Sequence, residues 1–214
     1  MSYLTIAGEG QSELVEKKSR FIGRAFAVKS EDEAKAHLER LAKEEWDASH
    51  HVYAYRIYKE KEPPLARFSD DREPSGTAGK QALMVLEGED LYDTLVVVTR
   101  YFGGTLLGTG GLSKAYSAAS KMALEEAGYA RVEAFVPGTF VLGYEHYARL
   151  KDFLESREIV IESTDFTENV ALRALLPIGE EGRIEAQCID LLNGQLQVML
   201  HREEVLQKAV PVTP

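Results

Sequence analysis

GTFVLGYEHYARLKDFLESREIVIESTDFTENVALRALLPIGEEGRIEAQCIDLLNGQLQVMLH, residues 138–201, decides the fold class, because its hydrophobic period changes repeatedly between that of a strand and that of a helix. Alternating apolar residues predict strands, and apolar residues three or four apart predict helices. The segment predicts a strand at 138–144, a helix at 145–157, strands at 159–166 and 170–176, a helix at 180–192 and a strand at 195–201. The order β-α-β-β-α-β is typical of a ferredoxin-like domain.

The preceding residues predict a further α+β domain, which ends at the turn-forming pair Pro137 and Gly138. We therefore expect an N-terminal domain at 1–137 and a C-terminal domain at 138–214. Ser30, followed three residues later by Glu33, predicts a capping box at the start of a helix. The predicted elements are strands at 21–28, 52–58, 95–102 and 129–135 and helices at 31–45, 77–86 and 112–127, with an exposed polar loop between residues 58 and 77.

The composition argues against several classes of protein. The 214 residues carry 25 Lys and Arg against 35 Asp and Glu, a net charge of −10, and neither half is a basic module that would hold nucleic acid. We find no DNA-specific signal. No apolar run approaches the ~20 residues that cross a bilayer, and the first residues lack the apolar core of a signal peptide. Cys188 is the one cysteine, which excludes an internal disulfide. We expect a cytoplasmic protein that does not enter a membrane.

DDREPSGTAGK, residues 70–80, is the first of two segments that could carry function. Its carboxylates at Asp70, Asp71 and Glu73 could ligate Mg²⁺, which prefers oxygen ligands. The same residues suit an acidic turn that leads into a helix capped by a hydroxyl side chain, or a loop that contacts a partner. The capped turn is the simplest interpretation, and we predict no bound metal.

TRYFGGTLLGTGGLSK, residues 99–114, places five glycines between a predicted strand and a predicted helix. Free N–H groups and the dipole at a helix start can hold an anion, with Arg100 and Lys114 as the nearest cations. Tyr101 could stack on a base. The glycines equally suit positive φ angles or close helix packing, and their spacing does not match a Walker A phosphate loop.

His50 and its neighbour precede a predicted strand and could act as acids, bases or ligands near neutral pH. A nucleophilic site that combines Ser75 or Thr77 with His50 and Asp71 can be drawn, but such sites are recognised by geometry. A histidine at a strand end is more often part of a hydrogen-bond network. We predict no catalytic residue and no cofactor.

Three linked motifs closely resemble the IMPACT family, in its bacterial YigZ-like branch: ASHHVYAYR at 48–56, DDREPSGTAG at 70–79, and VVTRYFGG at 97–104 continued by LGTGGL at 107–112. The resemblance implies an N-terminal domain folded like the second domain of a small-subunit ribosomal protein. It also implies a ferredoxin-like C-terminal domain similar to one in elongation factor G. Eukaryotic relatives are linked to translational control. Arg72 occupies a place where the family usually has glycine.

We predict a regulatory binding protein associated with translation, which contacts RNA, the ribosome or a protein factor. The alternative is an enzyme or sensor that binds a phosphorylated or nucleotide ligand at the glycine-rich helix start. The sequence favours binding over catalysis and leaves catalysis open. The candidate binding residues are His50, Arg56, Asp70, Asp71, Glu73, Ser75, Thr77, Arg100, Tyr101, Gly103, Gly104, Gly108, Gly110, Gly111 and Lys114.

Overall fold

A computed structural model describes residues 2–212, which form two compact α+β units. The N-terminal unit comprises Tyr3–Val132 together with residues 209–212, and the C-terminal unit comprises Glu133–Lys208. The division therefore falls five residues before the predicted boundary at 137/138. The α+β class predicted from the sequence is confirmed. None of the helices in the described part of the chain combines the length and apolar character that spanning a membrane requires.

The N-terminal unit contains one five-stranded sheet with the strand order β2-β3-β6-β4-β5. All neighbouring strands are antiparallel. Its elements are β1 (Tyr3–Ile6), β2 (Gly10–Glu16), β3 (Ser19–Ala27), α1 (Glu31–Glu44), β4 (His50–Ile57), β5 (Leu65–Ser69), α2 (Gly79–Gly88), β6 (Thr94–Tyr101) and α3 (Gly108–Ala127). The sequence analysis missed β1, β2 and β5, because these strands are short or polar and carry no clear alternation.

Helices cover both faces of this sheet. On one face, α2 and α3 bury Phe21, Val98 and Tyr116 in the larger core. On the other face, α1 packs on the halves of the strands that carry Phe26 and Leu95. Alternate residues of β6 thus point into different cores, which explains why the strand is buried along nearly its whole length.

Two predicted helix starts are corrected by the structure. The helix α2 begins at Gly79 and not at residue 77, and α3 begins at Gly108 and not at residue 112. Three of the five motif glycines therefore lie in the first turn of α3 and not in a preceding loop. The predicted cap of α1 is present, because the Ser30 side chain accepts a hydrogen bond from the N–H of Glu33.

In the C-terminal unit, β7 (Tyr129–Leu142) is followed by α4 (Tyr144–Glu155), β8 (Val160–Phe166), β9 (Val170–Pro177), α5 (Glu181–Leu191), β10 (Gln197–Leu200) and β11 (Leu206–Val212). The predicted order β-α-β-β-α-β is present from β7 to β10, and the sequence analysis missed a further strand, β11, whose last residues belong to the N-terminal unit. The strand order β10-β7-β9-β8, all antiparallel, is the order that a ferredoxin-like chain produces. The predicted likeness of the N-terminal unit to a ribosomal-protein domain remains a prediction.

The strand break predicted at Pro137 and Gly138 does not occur, and β7 runs through both residues. Proline tends to end a strand because it cannot donate a hydrogen bond. Here its carbonyl oxygen accepts a bond from the N–H of His201 at 2.8 Å, which keeps Pro137 in the sheet. The pair was therefore interpreted wrongly as a turn.

Candidate functional site

One cross-strand row at the end of the N-terminal sheet brings the three motifs together. Phe21 on β3 pairs with Arg100 on β6, which pairs with His50 on β4. Side chains of paired residues point to the same face. On that face Tyr116 of α3 and Glu73 of the β5–α2 loop close over the row.

A buried ion pair lies at the centre of this row. The Arg100 side chain is 5% exposed and that of Glu73 is 4% exposed, and Arg100 Nη1 donates to Glu73 Oε1 at 2.5 Å. Tyr116 Oη donates to the same oxygen at 2.7 Å. Arg100 Nη2 donates to Ser19 Oγ at 3.2 Å, and His50 Nε2 lies 3.7 Å from Glu73 Oε1. We call Ser19, His50, Glu73, Arg100 and Tyr116 the ion-pair cluster.

The electrostatics of the ion-pair cluster hold its phenol neutral. Burial, then the hydrogen bond to Glu73 and its negative charge, raise the pKa of Tyr116 far above the usual value near 10. Within residues 2–212, Arg100 Nε has no hydrogen-bond partner. Both charged side chains are buried and paired, so they offer no exposed charge to a ligand. Arg100, which the sequence analysis named as a cation for an anion at the helix start, is instead paired inside the fold.

The acidic loop uses its carboxylates as internal acceptors. Asp70 accepts from the N–H groups of Gly76 and Gly79 at 2.8 Å, and from that of Ala78 at 3.1 Å. The aspartate thus caps α2, a task that the sequence analysis gave to a hydroxyl side chain. Asp71 accepts from the N–H of His51 at 2.6 Å and joins the loop to β4.

These contacts do not assemble a metal site. The oxygens of Asp70, Asp71 and Glu73 bind three different sets of donors, so the carboxylates do not converge on a point. In the part of the chain that the structure describes, no three His, Cys, Asp or Glu side chains are placed to share a metal ion. The geometry favours the capped turn over the Mg²⁺ site.

The hydroxyl residues of this loop do not form the nucleophilic site that could be drawn from the sequence. Thr77 is buried, and its Oγ1 donates to the carbonyl oxygen of Pro74 at 2.6 Å. Ser75 is exposed. His50 Nδ1 donates to the carbonyl oxygen of Asp71 at 2.7 Å, so this nitrogen is not the acceptor that a nucleophilic hydroxyl would need.

The glycine segment is held against the β2–β3 turn. A Cβ atom added to Gly103 would meet Lys18 backbone atoms at 2.0 and 2.1 Å, so only glycine fits there. The N–H of Gly103 donates to Ser19 Oγ at 3.2 Å. Gly104 and Gly108 have positive φ angles. Gly110 and Gly111 lie inside α3.

The predicted cations do not meet at the start of α3. Arg100 lies in the ion-pair cluster, and Lys114 lies six residues into α3, about 9 Å along its axis. Lys114 lines a shallow groove between α2 and α3 with Gln81 and Val85. Tyr101 is partly exposed on the opposite face of the sheet, because it follows Arg100 along β6.

Arg56 lies outside the site. It follows His50 by six residues on β4, about 20 Å along the strand. The guanidinium is buried, donates to the carbonyl oxygens of Leu86 and Leu91, and lies 4.3 Å from the ring centre of Tyr92. Its role is to satisfy the C-terminal carbonyls near the end of α2.

Sequence reasoning missed two members of the ion-pair cluster. Tyr116 could have been found, since it lies on the face of α3 that also buries Leu112 and Ala119. No signal pointed to Ser19, whose position is set by the pairing of β3 with β6.

Comparison with family models places this arrangement among known proteins. The model described as the Impact N-terminal domain matches residues 17–124, which contain every residue of the ion-pair cluster. This chain belongs to the IMPACT family. A model described as a domain of unknown function, DUF1949, matches residues 140–195 in the C-terminal unit.

IMPACT family members of similar length align with nearly the whole chain. The family member YvyE of Bacillus subtilis is 32% identical over 98% of this chain and 95% of its own length. YigZ of Escherichia coli is 35% identical over 87% of this chain and 92% of its own. A crystal structure titled as a hypothetical protein is 34% identical, covers 92% of this chain and 96% of its own, and has a TM-score of 0.60.

The structure explains how this IMPACT chain accommodates Arg72 after the paired aspartates. Asp71 and Arg72 have φ angles of 39° and 69°, in the left-handed region where glycine is favoured. Arg72 Nη2 donates to the carbonyl oxygen of Ser49 at 3.2 Å, which ties the strained turn to the residue before β4. Arg72 therefore adopts a backbone conformation that glycine would adopt with less strain.

Proposed function

We propose that this chain is a regulatory protein associated with translation, which acts by binding a partner and not by catalysis. Family membership supports the assignment, because the resemblance described above implies a link to translational control. Among the motif residues that the structure describes, neither Ser75 nor Thr77 is hydrogen-bonded to His50, and Asp70, Asp71 and Ser49 hold loops. The cytoplasmic location expected from the sequence is part of this proposal.

The observation that carries the proposal is an exposed apolar surface on the loop that the motifs hold. Leu106 is 82% exposed and Phe102 is also exposed, both between β6 and α3. The N–H of Phe102 donates to Ser49 Oγ at 3.1 Å, and Gly103 packs on the backbone of Lys18. A large apolar side chain presented by an anchored loop is typical of a binding surface.

The charges favour a partner that is not free RNA alone. The whole chain has a net charge of −10, which repels phosphates at long range. Near the exposed loop, the Arg72 guanidinium is exposed and could meet an acidic or phosphate group. A protein factor, or a ribosomal surface that offers protein and RNA together, fits this mixture better than RNA by itself.

Co-sedimentation with ribosomal particles, at low and moderate salt, tests the proposal. The variant Leu106→Asp should weaken binding about tenfold or more, because it replaces an apolar contact with a charge. Met84→Asp, at another exposed apolar side chain of the same unit, should bind as the parent chain does. Equal binding by all three proteins, or no binding by the parent chain, would overturn the proposal.

The alternative, a phosphorylated or nucleotide ligand at the start of α3, keeps one observation in its favour. Leu107 precedes the helix and provides no side-chain cap, and Gly108, Thr109 and Gly110 are exposed. A nucleotide present at 100 times its Kd should stabilise the protein by about 2.7 kcal/mol. A thermal shift with ATP or GTP and Mg²⁺ that Gly110→Asp abolishes would favour this alternative.

A further inference from the structure

A second exposed surface lies on the sheet face that α1 covers only in part. The helix α1 ends at Glu44 and buries the core around Phe26 and Leu95. The cross-strand row Val15, Arg20 and Tyr101 lies outside that core. Val15 is 61% exposed, and Tyr101 is partly exposed. This row is on the opposite side of β6 from the ion-pair cluster.

Trp46 lies in the turn that follows α1, and this turn is held on the same sheet face, because Glu45 pairs with Arg24 and its carbonyl oxygen accepts from His51 Nε2 at 3.2 Å. Glu45 and Asp47, on either side of the indole, lie close enough to Tyr101 that burial and then their charges raise the pKa of its phenol. Trp46 is 81% exposed and is the one tryptophan of the chain. A buried indole contributes a large apolar area to folding, and an exposed one does not make this contribution. Trp, Tyr and Arg are also the residues that dominate binding energy at protein interfaces.

The charges of this surface distinguish between kinds of partner. Arg20 is paired with Glu13 at 2.9 Å, and Arg24 is paired with Glu45 at 2.5 Å. Asp47 is exposed, and within residues 2–212 it forms no ion pair. An exposed indole beside an uncompensated carboxylate attracts a cation through both the ring face and the charge.

We propose that Trp46, Asp47, Tyr101 and Val15 form a docking surface for a basic segment of a protein partner. A Lys or Arg side chain would lie on the indole of Trp46 and reach Asp47, and apolar neighbours of that side chain would cover Val15 and Tyr101. The net charge of −10 would speed the encounter with such a partner. This surface is separate from the Leu106 loop, so the inference does not depend on the role in translation.

The test uses three labelled probes and fluorescence polarisation. They are a short peptide in which lysine and leucine alternate, the corresponding peptide of glutamate and leucine, and a single-stranded RNA oligonucleotide. The full chain should bind the lysine peptide most tightly, with quenching or a blue shift of Trp46 emission. Trp46→Ala should weaken this binding about tenfold or more. Asp47→Asn should weaken it about twofold to fivefold, and increasingly so at low salt.

Two controls make the outcome decisive. Asp165→Asn removes another exposed aspartate, in the C-terminal unit, and should leave the affinity for the lysine peptide unchanged. Lys17 and Lys18, in the β2–β3 turn, are the cations that a nucleic acid would use. Tighter binding of RNA that Lys17→Glu with Lys18→Glu abolishes would overturn the proposal. So would equal affinity of the lysine and glutamate peptides, or a lysine-peptide affinity that Trp46→Ala leaves intact.

Discussion

Replacing Glu73 by glutamine should destabilise the N-terminal unit by about 3–5 kcal/mol, because it leaves Arg100 as an uncompensated buried charge. Arg100 would keep its bond to Ser19 Oγ, but Nη1 would lose a charged acceptor at 2.5 Å, and Nε already has no partner in the described chain. Tyr116 could still donate to the glutamine oxygen, so the change isolates the charge. A loss of this size is a large part of the 5–15 kcal/mol by which domains are usually stable.

Urea denaturation followed by circular dichroism measures the effect, and amide exchange of the β6 residues assigns it to the N-terminal unit. The double variant Glu73→Gln with Arg100→Met should recover at least half of the loss, because the unpaired charge is removed with its partner. Glu44→Gln, which breaks the exposed pair with Arg40 on α1, should change the free energy of unfolding by less than about 0.5 kcal/mol. The reasoning is refuted if Glu73→Gln costs less than about 1 kcal/mol, or if the two substitutions add without coupling.

Three further predictions concern the same region. The folded chain keeps the Tyr116 proton above pH 10, because folding raises the pKa of this phenol. The unfolded chain loses the proton from about pH 10, so the free energy of unfolding falls as the pH rises above 10. Tyr116→Phe should lessen that fall in urea midpoints measured from pH 8 to 11. Gly103→Ala should destabilise the fold through the clash with Lys18, whereas Gly110→Ala, inside α3 with open space around it, should stabilise it by up to about 1 kcal/mol in thermal denaturation. At the left-handed turn, Arg72→Val should lower the free energy of unfolding by about 1–2 kcal/mol, and Arg72→Gly should lower it by less than about 1 kcal/mol. The same melting curves decide whether backbone strain or the Ser49 contact has the larger effect.

The C-terminal unit was the part of the fold most open to prediction from sequence. Its strands alternate, its helices carry Leu150 and Leu154 at helical spacing, and Asn193 with Gly194 marks the end of α5. The error at Pro137 has a physical cause, since a turn-forming pair was judged without knowing that His201 would donate to the Pro137 carbonyl. Pairing between residues distant in sequence decides such cases, and it cannot be read from the local turn propensity of the two residues.

The structure brings the three motifs together, but the sequence did not show how their residues are used, and their role in binding stays a prediction. Arg100 follows Thr99 at the end of a strand, where sequence cannot show which face is covered. The structure buries both residues on opposite faces, Arg100 against Glu73 and Thr99 beside Arg24 and His51. Both the partner and the burial of Arg100 come from the β5–α2 loop, which is distant in sequence.

This division of roles accounts for why polar motifs lie beside apolar exposed residues. The amides of Phe102 and Gly103 anchor the loop that carries the exposed Leu106, because they donate to the hydroxyls of Ser49 and Ser19. Ser19 connects the anchors to the ion-pair cluster, because the same hydroxyl accepts from both Arg100 and Gly103. Arg100 thus supports the outer surface through Ser19, and its guanidinium also lies 5.5 Å from the ring centre of Phe102. A charge-reversing substitution of Arg100 should unfold the site, whereas Leu106→Asp should leave the anchors in place and remove only the contact that we propose.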